Sequence, residues 1–503
     1  MVAQQILHFR SIGFSDAEEF FTQIKDELED EASMLKSLHL VENGLRNKGR
    51  ELSKHLLQGY LNNCGDGDVG SEVITSSQIK LTHKRFMSRK IQTLEGTVVL
   101  HRVGYSTRGH PSLYPMDAFL QLPSSSFSYP LQKLLISEVA KGSIEEALQL
   151  LHEVTSVTIS KGRAMTLIQN SASDFDSFYE AKGKPTTATN CPIMVLTTDG
   201  KGIVMRPEGL REATKKRRLT IENKHKTRLS KGEKRNAKRI AQVASIYYVD
   251  RFIRHPKDVF DEYYRHQANL RRPRPVAKRL WASVEKDAAE TIDNLVVHAV
   301  KRDPDQKKEW VVLVDGQDYQ IEQIKAALQR QRVQATIVLD IVHVIEYLWK
   351  AAHQFFEEGS LSCERWVESK LQLILEKGGR KTAGSIRMSA TKRLPEDKKE
   401  VVEKTANYIA KRSAYTNYYD YLQSGYPIGT GVIEGTCRFL VKDRMDITGA
   451  RWGLAGAEAV LKLRSILKSQ DLDEYWNYHL HQEYQRNHLA KFSNLPEILR
   501  SMS

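Results

Sequence analysis

The sequence predicts a multi-domain α+β chain, in which a mainly helical N-terminal region precedes an α/β core interrupted by an all-helical insertion. Three observations predict this. At 503 residues, the chain is long enough for about three domains of roughly 150 residues each. Apolar residues such as Phe20, Phe21, Ile24 and Leu28 recur near a 3.6-residue period over 15–61, and again over 128–170, with charges between them. From 191 onward, short apolar runs alternate with helical stretches, and three of those runs stop at Asp199, Asp315 and Asp340.

Composition bounds the function. Hydrophobic residues make up 40% and charged residues 27%, an ordinary globular mixture. A chain of this size buries a core without covalent staples. Cys64, Cys191, Cys363 and Cys437 form no Cys-x-x-Cys pair, which argues against a disulfide framework and a zinc finger. Residues 1–21 hold Arg10, Asp16, Glu18 and Glu19 and no long apolar run, so no signal peptide is expected. No uncharged apolar stretch reaches the about 18 residues needed to span a bilayer. A cytoplasmic protein with no membrane partner is expected. Its net charge of +14 and pI of 9.3 point to a polyanionic partner.

The elements follow in order. Residues 1–127 form helices up to 61, a loop at 62–68, a β-hairpin over 89–102 around Glu95-Gly96, and a connector marked by Pro111, Pro115 and Pro123. The next domain spans 128–185 and is helical over 128–170, with a capping box between Ser143 and Glu146 and a break near 153–156. This spacing predicts a helix-turn-helix DNA-binding domain whose second helix, 157–169, presents Ser160, Lys161, Arg163 and Thr166.

The core begins at 186. A strand at 192–198 ends in Asp199-Gly200, a hairpin turn leading to a partner strand at 202–205. A basic tract over 211–239 follows, including Lys215, Lys216, Arg217, Arg218, Lys224, Lys226, Arg228, Lys231 and Lys234. Next come a strand at 245–249, a helix at 283–301, a strand at 310–314, a helix at 318–331 and a strand at 335–339. The first part of the core closes at 341. Residues 342–424 read as helices broken near Gly378-Gly379. In 425–503, Gly429-Thr430-Gly431 opens a helix carrying Glu434, and helices over 455–467 and to about 492 complete the chain.

This element order is that of a ribonuclease H-like core. In such a core the first and fourth strands lie side by side and a late helix crosses them, so Asp199, Asp315 and Glu434 can meet at one edge. Carboxylates are hard oxygen ligands suited to two divalent ions, magnesium or manganese. Two ions about 4 Å apart suit in-line phosphodiester displacement. Asp340-x-x-His343 adds a second polar pair beside them. Arg438 lies four residues after Glu434, and with Lys442, Arg444 and Arg451 would meet phosphates. Trp349 and Trp452 are candidates for stacking on an unpaired base.

At these residues the sequence resembles the ISKra-type insertion-sequence transposases, which have a DDE ribonuclease H-like core and are related to the Mutator-like superfamily. The resemblance covers most of the chain and rests on 198–202, 314–317, 340–349 and 426–452, with 93–102 and 115–123 nearer the front. It implies that Asp199, Asp315 and Glu434 are the DDE triad, that Asp340 and His343 are the Asp-x-x-His signature, and that the helical stretch before Glu434 is an insertion domain. Asp340 also ends a strand and is the alternative second acid. Some relatives carry cysteine pairs ahead of the helix-turn-helix, whereas 105–110 here has none, so no zinc is expected. The implied activity is cleavage of double-stranded DNA at terminal inverted repeats, then transfer of the freed 3′-hydroxyl into target DNA. A homodimer or higher homo-oligomer in a bacterial cytoplasm, nucleoid-associated, goes with it. The alternatives are a ribonuclease H-like nuclease without strand transfer and an inactive or domesticated DNA-binding protein.

Overall fold

In the computed structural model, which describes residues 13–182, 190–220, 230, 233, 235–263 and 271–502, the chain divides into two units. One comprises residues 1–178 with 472–503, the other 179–471. The expected segment 425–503 is therefore shared between them.

The first unit opens with helices Ser15–Glu29, Glu31–Met34 and Leu38–Asn63. Strands β1 (Val73–Ile74) and β2 (Lys80–Leu81) form one small sheet; β3 (His83–Thr93) and β4 (Gly96–Ser106) form a long antiparallel hairpin that turns between Thr93 and Gly96. The hairpin extends past the expected 89–102 because Val103 and Tyr105, on the opposite face of β4 from Val98 and Leu100, are buried in a second apolar cluster with Val73 and Leu81. A short helix, Pro115–Phe119, interrupts the proline-marked connector. Helices Tyr129–Lys141, Ile144–Thr155 and Lys161–Ser171 follow. The Ser143–Glu146 capping box forms as expected. Ser156, in a left-handed conformation, ends one helix. Ser160 caps the next, so that helix starts at Lys161 rather than at 157. The C-terminal helices Leu472–Asn487 and Leu495–Met502 belong to this unit. Buried Asp174 accepts hydrogen bonds from His479 Nδ1 and Arg486 Nη1, both at 2.6 Å.

The second unit holds a five-stranded mixed sheet in the order β7-β6-β5-β8-β9. These strands are β5 (Ile193–Val204), β6 (Lys238–Val249), β7 (Val276–Ser283), β8 (Glu309–Val314) and β9 (Thr336–Leu339). β6 lies antiparallel to β5 and β7, while β8 lies parallel to β5 and β9. Six successive residues at the start of β5 are buried, as expected for a strand covered on both faces. Helices Ala288–Arg302 and Asp318–Arg330 make the crossovers before β8 and β9.

Two expectations fail here. Asp199-Gly200 is not a turn: β5 runs through it, and its antiparallel partner is β6 rather than 202–205. The glycine serves close strand approach, since a Cβ on Gly200 would lie 2.8 Å from Ile240 Cγ2. Ser283 belongs to strand β7, not to a helix. The helix begins at Ala288, where Asp287 and Glu290 form a capping box.

The helical stretch after β9 comprises Ile341–Phe355, Leu361–Arg393, Glu396–Lys411 and Tyr418–Gln423. The second of these kinks at Gly378, whose φ is +72°. Gly431–Thr436 carries Glu434, a π-helical turn spans Cys437–Lys442, and helix Leu454–Lys468 packs on β7. Among the described residues, no helix is long and apolar enough to cross a membrane.

Candidate active site

Strand register sets the site. β5 and β8 pair Thr197 with Leu313, and β8 and β9 pair Val314 with Leu339. Continuing both registers puts Asp199, Asp315 and Asp340 in one row across three neighbouring strands. Strand spacing of about 4.8 Å makes such carboxylates immediate neighbours. Burial raises the Asp315 carboxyl above the usual carboxylate range, and the charges of Asp199 and Asp340 add to this; the Gln317 amide, donating to Oδ1 at 3.0 Å, and His343 oppose it. A carboxyl flanked by two others favours a cation.

Asp340 is fully buried and saturated. Its Oδ1 accepts from the Val342 and Thr430 amides, each at 3.1 Å; its Oδ2 accepts from Thr430 Oγ1 at 2.6 Å and His343 Nδ1 at 2.7 Å. Burial alone would push this carboxyl up, but the four bonds outweigh it and hold it below its ordinary value. The hydrogen bond to Asp340 pushes the His343 imidazole up to about 9 against the effect of burial. His343 is therefore an imidazolium at neutral pH.

Thr430 ties this pair to Glu434. Its single hydroxyl proton goes to Asp340, and Glu434 Oε1 lies farther off at 3.4 Å. Ligand atoms of Asp340, His343 and Glu434 all fall within 4.8 Å of one another, the tightest such cluster among the described residues. The expected metal trio Asp199, Asp315 and Glu434 does not close up as tightly. Asp199 Oδ1 accepts from the Gly200 amide at 2.6 Å and its Oδ2 from the Cys437 thiol at 3.3 Å. Burial pushes that thiol up, and the neighbouring charges of Asp199 and Glu434 push it further.

The helical stretch also reaches the site. Tyr408 Oη donates to the Asp315 carbonyl at 2.7 Å, and Arg412 Nε donates to the Gly316 carbonyl. Gly316 has φ +94°, and a Cβ there would meet Tyr408 Oη at 2.7 Å. Only glycine fits under this clamp. Neither Tyr408, Arg412, Thr430 nor Cys437 was expected to act at the site. The Gly-Thr-Gly stretch before Glu434 was the available signal for Thr430; the other three have none in spacing.

The candidate nucleic-acid contacts divide. Ser160 Oγ caps its helix by accepting from the Arg163 amide, Lys161 pairs with Glu145, and the Thr166 hydroxyl donates to the Gly162 carbonyl; the Arg163 side chain is exposed. Helix Glu212–Thr220 carries Lys215, bonded to Glu212 at 2.7 Å, and exposed Lys216, Arg217 and Arg218. Lys224, Lys226, Arg228, Lys231 and Lys234 lie outside the described residues. Arg438, Lys442 and Arg451 are exposed. Arg444 and Trp452 are not available to DNA, which corrects their expected role. Both are buried, the guanidinium lies 4.9 Å from the indole centre, and Trp452 Nε1 donates to the Met445 carbonyl at 3.0 Å. Main-chain bonds from Trp452 to Val204 and from Arg206 to Trp452 seat this residue at the end of β5. Trp349 is half-buried and stacks on His353.

No protein-family model matches the chain, and no curated protein matches it.

Proposed function

We propose that the chain is a DNA transposase of the insertion-sequence type, with a DDE core of ribonuclease H-like design that cuts at terminal inverted repeats and joins the 3′-hydroxyl to target DNA. The observation that carries the reading is the row Asp199–Asp315–Asp340 at one sheet edge, with the start of the helix that carries Glu434 anchored to Asp340 by Thr430.

The donor chemistry fits divalent ions and sorts their ligands. Asp340 has committed both oxygens to four hydrogen bonds, one of them from His343 Nδ1. Asp315 keeps Oδ2 outside any hydrogen bond among the described residues. Asp199 and Glu434 remain partly open to solvent. Asp199, Asp315 and Glu434 would therefore hold magnesium or manganese, which supplies charge neutralisation at the phosphate and a more acidic water or hydroxyl.

The surrounding residues prepare the reaction. With Nδ1 committed to Asp340, the imidazolium of His343 has Nε2–H to donate to a phosphate oxygen. Thr430 fixes the start of the Glu434 helix to Asp340. Cys437 orients Asp199, and Tyr408 with Arg412 sets the Asp315 loop. Arg438, Lys442 and Arg451 supply phosphate contacts that position DNA.

The test incubates purified protein with terminal-repeat DNA and magnesium, comparing wild type with Asp199→Ala, Asp315→Ala, Asp340→Ala and Glu434→Ala. Cleavage and strand-transfer products are expected from the wild type only. Cleavage without any joined product favours a nuclease, and metal-independent binding without cutting favours a DNA-binding protein.

A further inference from the structure

The first unit carries a groove of about 610 Å³. Leu57 and Leu61 of helix Leu38–Asn63 form one wall, Leu94 and Glu95 at the hairpin turn a second, and Phe119 and Leu120 at the end of the short helix a third. Leu57, Phe119 and Leu120 pack on the buried cluster of Leu61, Ile91 and Val98, so the groove opens an apolar interior to solvent. Helix periodicity sets three neighbouring rows along Leu38–Asn63. In the first, His55 lies against Phe20 with ring centres 5.2 Å apart, and a Cβ on Gly59 would collide with the Gly13 carbonyl. The third row, Leu57 and Leu61, faces the groove. Between them lie Leu56, Tyr60 and Asn63; Leu56 is 46% and Tyr60 51% exposed. A Cβ on Gly13 would collide with the Asn63 side chain, so the chain enters the unit at the edge of this open apolar row.

Position, composition and reach select the occupant. Residues 1–12 lie outside the described residues. Their sequence sets Val2, Ile6, Leu7, Phe9 and Ile12 against a single formal charge, Arg10. Glu95, the single charged residue in the groove lining, has the opposite sign. At about 3.3 Å per residue, Leu7 reaches as far as about 20 Å from Gly13, more than the about 10–12 Å width of the helix to be crossed. A tethered segment also meets the groove at an effective concentration of about a millimolar, which a free partner has to match. We propose that residues 2–12 form a strap on their own chain: Phe9 and Ile12 cover Leu56 and Tyr60, and Ile6 and Leu7 enter the groove. The strap joins helix Leu38–Asn63 to the hairpin turn and seals the apolar opening. This inference is independent of the chemistry proposed above.

Photo-cross-linking of the full-length chain tests it, with far-UV circular dichroism checking that every variant keeps its helix content. The photoreactive residue p-benzoylphenylalanine replaces Leu7, the chain is irradiated, and mass spectrometry maps the adducts. The expected product has the size of one chain, with adducts at 93–95 or 119–122, the two walls formed by other elements than the helix that Gly13 touches. Ile6→Asp with Phe9→Asp keeps the tether and removes the apolar anchors. It is expected to lower the yield of those adducts by about 10-fold or more, the scale of losing two buried apolar side chains. Adducts at other positions only, a product of dimer size, no adduct, or a yield that the two substitutions leave unchanged overturns the proposal.

Discussion

Tyr408 donates its phenol hydrogen to the main-chain carbonyl of Asp315 at 2.7 Å, while its ring stacks on Tyr347 with centres 3.9 Å apart. A residue 93 positions downstream therefore fixes the loop that carries the central carboxylate. Arg412, one turn later, reinforces it by bonding the Gly316 carbonyl and Asp318. The helical stretch between β9 and Glu434 is thus a support for the site rather than a spacer.

Tyr408→Phe removes that hydrogen bond and leaves the stacked ring in place. A single neutral hydrogen bond contributes about 1 kcal/mol. The expected outcome is a DNA-cleavage rate lower by about 5-fold, with the thermal midpoint little changed. Loss of the fold, seen as an early melt, would mean that the hydroxyl serves the core instead of the loop.

Much of this arrangement is legible in the sequence, and the exceptions have physical causes. The apolar runs ending at Asp315 and Asp340 read correctly because strands covered on both faces are continuously apolar. Asp199-Gly200 reads as a turn because that dipeptide usually is one. Here the glycine answers a steric demand from Ile240 on the neighbouring strand, which sequence spacing does not reveal. Strand β7 is hidden by Lys278 and Arg279. Arg279 is nonetheless buried, its guanidinium 3.2 Å from the Tyr179 ring centre and 4.9 Å from that of Trp281. The roles of Tyr408, Arg412 and Cys437 depend on contacts between residues far apart in the chain, which no local pattern records.

Thr430 offers a second test. Thr430→Val keeps the shape but leaves Asp340 Oδ2 without its 2.6 Å donor inside a fully buried site. Depriving a buried carboxylate of one donor costs about 2 kcal/mol. The expected result is a lower melting midpoint together with reduced cleavage, and Thr430→Ser restores both by returning the hydroxyl. If serine fails where threonine works, packing of the methyl group is the larger contribution.

The second unit should also weaken in mild acid through His298. Burial pulls this imidazole down to about 3, helped by the charges of Arg279, Lys301, Lys286 and Arg302. Its ring packs edge-on against Trp281 and Tyr179. Above pH 6.5 the group is neutral in both folded and unfolded chains, so stability is complete. As pH falls from about 6.5 toward 3, the unfolded chain takes a proton that the folded chain refuses, and stability declines by about 1.4 kcal/mol per pH unit. By pH 5 the loss is about 2 kcal/mol. His298→Phe keeps the aromatic contacts and removes the titration. Denaturant melts at pH 7 and pH 5 should show the wild type losing stability and the variant nearly level; equal losses in both would remove His298 from the account.

The last prediction separates basic residues that sit near one another in sequence. Arg438 is exposed, its Nε 3.8 Å from Asp443, so it makes at most a weak surface pair. Arg438→Ala should leave the melting midpoint unchanged and weaken binding across DNA sequences alike. The slope of log affinity against log salt should fall by about one, the signature of one lost phosphate contact. Trp452 behaves oppositely. It is buried under Arg444 and bonded to Met445, and its main chain bridges the end of β5. Trp452→Ala should cost about 3–5 kcal/mol of stability through the cavity it leaves, and at temperatures where the variant is folded its salt slope should match that of the wild type. A Trp452 variant with normal stability and a reduced slope would return this residue to the DNA-facing surface.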